Sequence, residues 1–332
     1  MTPGERFANI RAMIRFRHGL NGAGERRLRA ALAAGTVKRL TRDCYVRSSE
    51  WQPLYIEDRQ LALAIAHAAS RRRRPIYSHY TAAAIHGLPL LGFTSPRVHE
   101  VLTPSARVRS SQSAMRHTSP EFMDEVVEIN GLLCTNPTRT VLDLSRLARP
   151  ELAVGAVDAA LRLMCFSGGD GGTERQEAWR ESMLERISGM RGERGARSAR
   201  RVVRFADGRA ESPVESLSRL QCARLGIRVA VQVAVPSPSG SDYYADFEFL
   251  DHNAYGEVDG ETKYFEEDLT GGKSARQIFR DEKAREDWIR GSQKKALYRW
   301  GAQHAETQEK LAARLAGFGV LPGPRPIRED LP

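Results

Sequence analysis

The sequence predicts a mixed α/β fold made of several domains. The chain has 332 residues, more than one ordinary domain needs. Its content of 41% hydrophobic and 28% charged residues is typical of a globular protein that buries a core. Segments with helical periodicity alternate with short strand-like segments along most of the chain. The predicted parts are an N-terminal domain (1–50), a middle domain (51–166), a linker (167–173), a C-terminal domain (174–320) and a tail (321–332).

The N-terminal domain has the outline of a winged helix-turn-helix. Residues 24–34 place leucine and alanine on one helical face, and Gly35 ends the predicted helix. The segment V-K-R-L-T-R-D-C-Y-V at 37–46 alternates partly between apolar and basic residues around a turn at Arg42-Asp43. A short helix followed by a basic hairpin is the arrangement that a winged helix requires.

The middle domain is predicted to be α+β and to end at a glycine-rich linker. Its predicted helices cover 56–69, a segment from near 78, a segment from near 137, and 152–163, and its strands cover 98–102 and 126–129. The stretch S-G-G-D-G-G-T at 167–173 is typical of a flexible linker and marks the predicted domain boundary.

The C-terminal domain is predicted to form a mixed α/β core. Arginine-rich helices come first, and residues 186–209 carry eight arginines and two acids. The predicted elements that follow are a helix at 213–225, strands at 229–235, 243–250 and 255–259, a helix at 282–290, a strand at 296–300 and a helix at 305–315. This order, α-β-β-β-α-β-α, is typical of a sheet covered by helices. The proline-rich end is predicted to be a loose tail.

The charge is concentrated at the N-terminus. The chain holds 51 basic and 41 acidic residues, and residues 1–50 hold 11 and 4 of them. A concentrated basic excess attracts phosphate, which favours duplex DNA as the partner; a solvated surface is the alternative interpretation. The candidate DNA-binding residues are Arg26, Arg27, Lys38, Arg39 and Arg42.

Cysteine usage and hydropathy favour a cytoplasmic protein. The four cysteines are scattered and form no C-x-x-C pair, which predicts buried thiols in a reducing compartment. Arginines interrupt the N-terminus, so no signal peptide is expected. No stretch of about 18 apolar residues occurs, so no membrane span is expected. The sequence leaves the oligomeric state open.

Carboxylates recur on the predicted elements of the C-terminal core. Glu215 lies on the helix, Asp246 on the second strand, and Glu257 and Asp259 on one face of the third. If they converge, a cation must relieve their repulsion, and Mg²⁺ or Mn²⁺ suits oxygen ligands. Glu215, Asp246 and Glu257 are the predicted metal ligands. The alternative interpretation is that Asp259-Gly260 is an ordinary turn and Glu215 an ordinary helix residue.

This order of residues resembles the PD-(D/E)XK nuclease superfamily, in particular the branch that includes the very-short-patch-repair endonucleases. The resemblance implies a restriction-endonuclease-like core, with Asp246 as the family's Asp, Glu257 as its (D/E) and Glu215 as its helical Glu. Asp259 occupies the slot of the family's lysine, and Lys263 is the expected substitute. Gln232 is a further polar contact to phosphate or metal on the same grounds.

The segment before this core resembles AbiEi-type antitoxins, which are transcriptional autorepressors of type IV toxin–antitoxin systems. The resemblance rests on R-L-R-A-A-L-A-A-G-T-V-K-R-L-T-R-D-C-Y-V, S-H-Y-T-A-A-A-I-H-G-L-P-L and T-N-P-T-R-T-V-L-D-L, and it covers roughly 13–165. Cys44 replaces the glycine that often precedes the tyrosine of the wing.

Two functional hypotheses follow from these resemblances. In the first, the winged helix locates duplex DNA and the C-terminal domain cuts it with a divalent metal bound by the acids, while Asp259 and Lys263 complete the catalytic set. In the second, the protein is a regulator with a cognate toxin or defence partner, and its nuclease-like domain has lost catalysis. The missing lysine favours the second hypothesis, and the retained acids favour the first.

Overall fold

The computed structural model describes residues 2–18, 20–106, 108–120, 122–167, 170–259, 275–328 and 331–332. It confirms the mixed α/β class, with 49% of the described residues helical and 19% in strands. The chain forms two compact units, Met1–Ala148 and Arg149–Pro332. In the described chain, no helix is long and apolar enough to cross a membrane. All four cysteines are buried free thiols, as predicted.

The first unit contains two sheets and six helices among its described residues. Its helices are α1 (Pro3–Met13), α2 (Gly22–Ala33), α3 (Ser48–Trp51), α4 (Ile56–Ala69), α5 (His79–His86) and α6 (Pro137–Leu147). Its strands are β1 (Arg15–Phe16), β2 (Val37–Arg39), β3 (Cys44–Arg47), β4 (Ile76–Tyr77), β5 (Val98–Leu102), β6 (Ala114–Thr118), β7 (Val126–Ile129) and β8 (Leu132–Thr135). The strand orders are β1-β3-β2 and β6-β5-β4-β8-β7.

The predicted hairpin is present, and Cys44 fits within it. Strands β2 and β3 pair antiparallel, with Arg39 opposite Tyr45. The backbone N–H of Leu40 donates to the Cys44 carbonyl at 2.9 Å, which closes the turn. Cys44 is buried, with its Sγ 3.6 Å from the Ala66 carbonyl oxygen. Helix α2 corresponds to the predicted helix at 24–34, and α1 and the short strand β1 precede it in the chain.

The second unit packs helices around one sheet. Its helices are α7 (Pro150–Leu161), α8 (Gly172–Gly189), α9 (Ala196–Phe205), α10 (Pro213–Arg224), α11 (Ala275–Gln293), α12 (Ala302–Ala305) and α13 (Gln308–Ala316). Its strands are β9 (Val229–Pro236), β10 (Asp242–Phe249), β11 (Ala254–Asp259) and β12 (Ala296–Gly301), in the order β12-β11-β10-β9. Strands β9, β10 and β11 pair antiparallel, whereas β12 runs parallel to β11.

The units divide the chain before the predicted linker. Helix α7 was expected in the middle domain, but it belongs to the second unit and packs on α10. Its Asp158 is buried and pairs with Arg219 at 2.8 Å, and it also accepts the Asp207 backbone N–H at 2.7 Å. A buried carboxylate needs such partners, which ties α7 to this unit. Within the predicted linker, Gly172 is buried at the start of α8.

The predicted tail is attached rather than loose where it is described. The backbone N–H of Ile327 donates to the Ala223 carbonyl at 2.9 Å. Arg224 donates to the carbonyl of Pro332, also at 2.9 Å. The tail therefore satisfies the Ala223 carbonyl at the C-terminal end of α10, where a helix has no internal donors, and its last carbonyl accepts a hydrogen bond from Arg224.

Candidate functional site

The first candidate site is a group of exposed cations in the first unit. We call this group the N-terminal cationic surface, and its members are the five predicted DNA-binding residues: Arg26, Arg27, Lys38, Arg39 and Arg42. The two arginines of α2 follow its first turn, and the other three cations belong to β2 and the turn after it. All five side chains are exposed, because the apolar positions of the same elements face inward.

None of these five cations has a carboxylate within ion-pair distance in the part of the chain that is described. Two of them lie over aromatic rings instead: Lys38 is 5.3 Å from the Trp51 ring centroid and Arg39 is 5.7 Å from that of Tyr45. A cation over a ring keeps its full charge and is held in place. By contrast, the nearby Arg17 is neutralised by Glu25 at 2.7 Å. The surface is therefore a positive region whose charge is available to a ligand.

The second candidate site is the predicted carboxylate group, and Glu215 is its helical member. Glu215 lies in the first turn of α10 and is buried. Its Oε2 accepts the backbone N–H of Glu211 and the Nε2 of Gln232, both at 2.9 Å. Burial raises the pKa of Glu215, while these two hydrogen bonds oppose the rise. Gln232 has a φ of 50°, at a point between Val231 and Val233 where β9 is irregular.

Asp246, on β10, has a structural partner on the neighbouring strand β11. Its Oδ2 accepts the backbone N–H of Val258 at 2.8 Å. The regular pairing of β10 with β11 reaches only to Phe247 opposite Gly256, so this hydrogen bond continues the connection with a side chain. Asp246 is half-buried and joins the two strands beyond the end of their backbone ladder.

Glu257 is buried on β11 and is held by two arginines. Its Oε1 is 2.9 Å from Nη2 of Arg285, and its Oε2 is 3.2 Å from Nη1 of the same guanidinium. The second arginine is Arg299, whose Nη2 lies 3.5 Å from Oε2 of Glu257. Arg299 is the direct register partner of Glu257 in the parallel β11–β12 pair, so the sheet itself places the cation beside the acid. The bidentate geometry is the strong form of a guanidinium–carboxylate pair.

Arg299 also joins the exposed acid Asp259 to helix α11. Its Nη1 is 3.3 Å from Asp259 and 3.0 Å from Glu282, and its Nη2 is 3.6 Å from Glu286. Burial alone would lower the pKa of Arg299, but the hydrogen bond to Glu282 and the nearby acids raise it. Lys263, the predicted substitute for the family's lysine, lies outside the described residues.

The described residues do not fit the predicted Mg²⁺ or Mn²⁺ site. Among them, no group of three His, Cys, Asp or Glu side chains is placed to hold a metal ion. The acids were expected to repel one another until a cation joined them. Instead Glu257 meets two guanidinium groups, Asp246 accepts a backbone N–H, and Glu215 accepts two hydrogen bonds. Arginine thus supplies at Glu257 the positive charge that a divalent ion was expected to bring.

Sequence analysis identified neither Arg299 nor Arg285 as a partner of Glu257. The i, i+4 spacing of Arg285 with Asp281 is typical of a pair within one helix. In the fold, Arg285 reaches across from α11 to Glu257. Leu297 and Arg299 lie two positions apart on β12 and therefore share a face of the sheet, which could have indicated an inward cation. Only the parallel register identifies the partner of Arg299.

Three histidines of the first unit form a stack, and none was predicted to be a metal ligand. The rings of His79 and His117 are 3.7 Å apart, and Nδ1 of His99 is 2.9 Å from Nε2 of His117. Burial lowers the pKa of His99 to about 3 and that of His117 to about 4, so both are neutral near pH 7. Outside the stack, Nε2 of His86 lies 2.7 Å from the Thr135 carbonyl oxygen. The stack is therefore a packed element of the interior.

Comparisons with known proteins assign no activity to either site. No family model matches the chain. Two uncharacterized proteins of Mycobacterium tuberculosis, from strains CDC 1551 and H37Rv, are each 30% identical to it over 172 residues. The match covers 52% of this chain and 57% of each relative, so it extends over little more than half of those proteins. Because both relatives are uncharacterized, the similarity transfers neither a ligand nor a reaction.

Proposed function

We propose that the protein binds duplex DNA through the N-terminal cationic surface and acts as a transcriptional regulator. The observation that carries the proposal is the exposure of five cations without a carboxylate partner in the described chain. Ion pairs within the protein would have to be broken before such groups bound phosphate. Here no internal pair competes, so phosphate contact releases counterions and gains their entropy.

The local fold supports this ligand. A helix can enter the major groove of B-DNA, while the hairpin that follows it contacts the adjacent backbone. Arg26 and Arg27 lie on the helix, and Arg42 lies at the tip of the hairpin. Arginine suits both tasks, because its guanidinium binds phosphate or the guanine edge in bidentate fashion.

The test is a salt titration of duplex binding by the full chain, followed by fluorescence anisotropy. Each lost phosphate contact lowers the slope of log affinity against log salt by about 0.9. We expect Arg39→Ala with Arg42→Ala to lower the slope by about two units if each residue contacts one phosphate. The control is Arg162→Ala with Arg228→Ala, because these exposed arginines already pair with Glu211 and Asp251. An unchanged slope in the cationic-surface variant would reject this anchor.

The regulator hypothesis also includes a protein partner. A regulator of the AbiEi type would pair with a cognate toxin, and the second unit offers a folded domain for that contact. Co-purification of the chain with the product of an adjacent nucleotidyltransferase gene would support this part of the proposal. Such a protein would act in the cytoplasm, where its DNA and its partner are found.

Metal-dependent DNA cleavage is the second candidate function. The favourable observation is that Glu215 lies on helix α10 and that Asp246 and Glu257 lie on the adjacent strands β10 and β11, in the order that the nuclease resemblance implies. The two arginines at Glu257 weigh against it. Plasmid DNA incubated with the protein and Mg²⁺ or Mn²⁺ distinguishes the candidates, with Glu257→Gln as the control. We expect the plasmid to stay intact, and metal-dependent nicking that Glu257→Gln abolishes would establish the nuclease instead.

A further inference from the structure

Helix α9 carries an arginine face that neither candidate site uses. Arg197, Arg200, Arg201 and Arg204 follow the spacing i, i+3, i+4, i+7, which places them on one side of the helix. They span eight residues, and the first and last are about 10 Å apart along the helix axis. That length corresponds to about three phosphates along one strand of duplex DNA.

The opposite face of α9 is fixed in the second unit. Ala199, Val202 and Val203 are fully buried there. The helix is also anchored through the Val203 carbonyl, which accepts a hydrogen bond from Arg180 on α8 at 3.3 Å. A ligand of the arginine face would therefore meet an ordered helix and would not pay for folding it.

Four arginines of this region have no internal partner. Arg191, Arg197, Arg200 and Arg201 form neither a hydrogen bond nor an ion pair with any described residue. Three of them are exposed, and Arg200 is half-buried. By contrast, the exposed Arg209 of the same unit is paired with Asp207 at 2.6 Å. The positive charge on and before α9 is thus available to a ligand from outside.

The segment 186–209, which we call the basic island, is strongly basic, whereas the remainder of 175–332 carries a net negative charge. Of the 27 basic and 25 acidic residues of 175–332, the segment 186–209 holds eight and two. The remainder therefore carries 19 basic and 23 acidic residues, a net charge of −4. A concentrated positive region within an acidic domain attracts a polyanion to one place rather than to the whole surface.

A cavity adjoins the island at the start of α9. It has a volume of about 450 Å³, and its lining includes Arg191, Gly192, Glu193, Arg197 and Arg200. The first turn of α9 has no side-chain cap, since Gly195 occupies the capping position. Uncapped N–H groups and the helix dipole favour an anion at this end, in addition to the arginines.

We propose that the arginine face of α9 and the cavity beside it form a second phosphate-binding surface for duplex DNA. A repeating polyanion matches a row of cations along 10 Å better than a single small anion does. An anionic membrane is the less suitable ligand, because a membrane-binding helix inserts its apolar face and that of α9 is already buried. The proposal rests on the proposed function in that duplex DNA is the ligand.

The test compares two charge-matched variants of the full chain in the same salt titration. Arg197→Gln with Arg201→Gln should lower the slope of log affinity against log salt by about two units. The control, Arg162→Gln with Arg228→Gln, removes the same charge from paired positions and should leave the slope unchanged. All four residues are surface positions, and circular dichroism melting checks that both variants remain folded.

The outcomes separate this proposal from the proposed function. If the α9 variant keeps the parental slope while Arg39→Ala with Arg42→Ala loses slope, the α9 surface is rejected and DNA binding by the first unit stands. The reverse result rejects the N-terminal anchor and retains α9. The last experiment measures binding of the parent and the α9 variant to vesicles of phosphatidylcholine with phosphatidylserine. Vesicle binding that the α9 variant loses, with its duplex slope unchanged, would overturn the proposal in favour of a lipid surface.

Discussion

The N-terminal cationic surface and the buried face of the four-stranded sheet use arginine in opposite ways. On the cationic surface, Arg26, Arg39 and Arg42 are exposed and have no carboxylate partner in the described chain. On the sheet, Arg285 and Arg299 both contact the buried Glu257, the nearer at 2.9 Å. The first arrangement leaves positive charge available for a ligand, whereas the second uses it to stabilise an acid within the protein.

The exposed arginines of the cationic surface are available for ligand binding, whereas the arginines at Glu257 contribute to the stability of the fold. An exposed, unpaired arginine contributes little to folding, because its charge is solvated in both the folded and the unfolded state. A guanidinium beside a buried carboxylate offsets a desolvation penalty, so removing one partner exposes that penalty. Mutations on the cationic surface should therefore change duplex binding, whereas mutations at Glu257 should change the free energy of unfolding.

The largest expected effect is loss of stability on substitution of Glu257. Glu257→Ala leaves Arg285 and Arg299 without their shared partner. We expect the free energy of unfolding to fall by about 2–3 kcal/mol, below the roughly 3–5 kcal/mol of a fully buried pair, because Arg299 keeps Glu282. Urea unfolding at pH 7 measures the change.

The matched control for this experiment is Glu248→Ala on the neighbouring strand β10. Glu248 pairs with Lys295, and both side chains are about one-quarter exposed. Loss of this pair should cost about 1 kcal/mol or less. Equal losses in the two variants would contradict the contrast between the buried pair and the more exposed one. Stabilisation by Glu257→Ala would restore the original expectation of repelling acids.

A smaller effect of opposite sign is expected at Glu215, the buried acid that lacks an arginine. Its pKa is raised by burial, so the charged form disfavours the folded state above the ordinary carboxyl pKa. Glutamine removes this penalty and can still accept the hydrogen bonds from Glu211 and Gln232. We expect Glu215→Gln to increase the free energy of unfolding at pH 7 by up to about 1 kcal/mol.

The pH dependence supplies the control for Glu215→Gln. Below about pH 4 the parent carboxyl is increasingly protonated in both states, so the difference between parent and variant should disappear. Urea unfolding at pH 7 and near pH 3.5 tests this. A gain that persists unchanged in acid, or a loss at pH 7, would show that the charge of Glu215 is not the cause.

The smallest expected change in stability is at the cationic surface. Arg26→Gln with Arg27→Gln should alter the free energy of unfolding by less than about 0.5 kcal/mol, because neither side chain has an ion-pair partner among the described residues. Glutamine also matches arginine in helix propensity. The same variant should weaken duplex binding in the salt titration. A large loss of stability would mean that these arginines serve the fold rather than a ligand.

Local sequence patterns predicted many of the elements of the chain. The helix at 56–69 and the strands at 98–102 and 126–129 have the predicted bounds. The basic hairpin also formed in its predicted place. These elements follow from periodicity and turn residues that lie within a few positions of one another, so neighbouring residues are enough to identify them. The exposed positions of the cationic surface follow from the same periodicity.

Long-range contacts were beyond such patterns. Helix α7 was predicted correctly as an element, but its place in the second unit depends on Asp158 and Arg219, which are 61 positions apart. The linker composition at 167–173 indicated a boundary that the contacts do not follow. Glycine content reports the freedom of a segment, whereas the division into units depends on which buried groups find partners.

By itself, the sequence determined the mixed α/β class, the order of the main elements of the C-terminal core, and the exposed cations of α2 and the hairpin. It also placed Glu215, Asp246 and Glu257 on a helix and two strands. Only the tertiary structure decided what neutralises Glu257. Arg299 lies 42 positions along the chain and becomes its neighbour because β12 pairs parallel with β11 in a register that sets these two residues side by side. A one-residue shift would turn the guanidinium to the other face of the sheet.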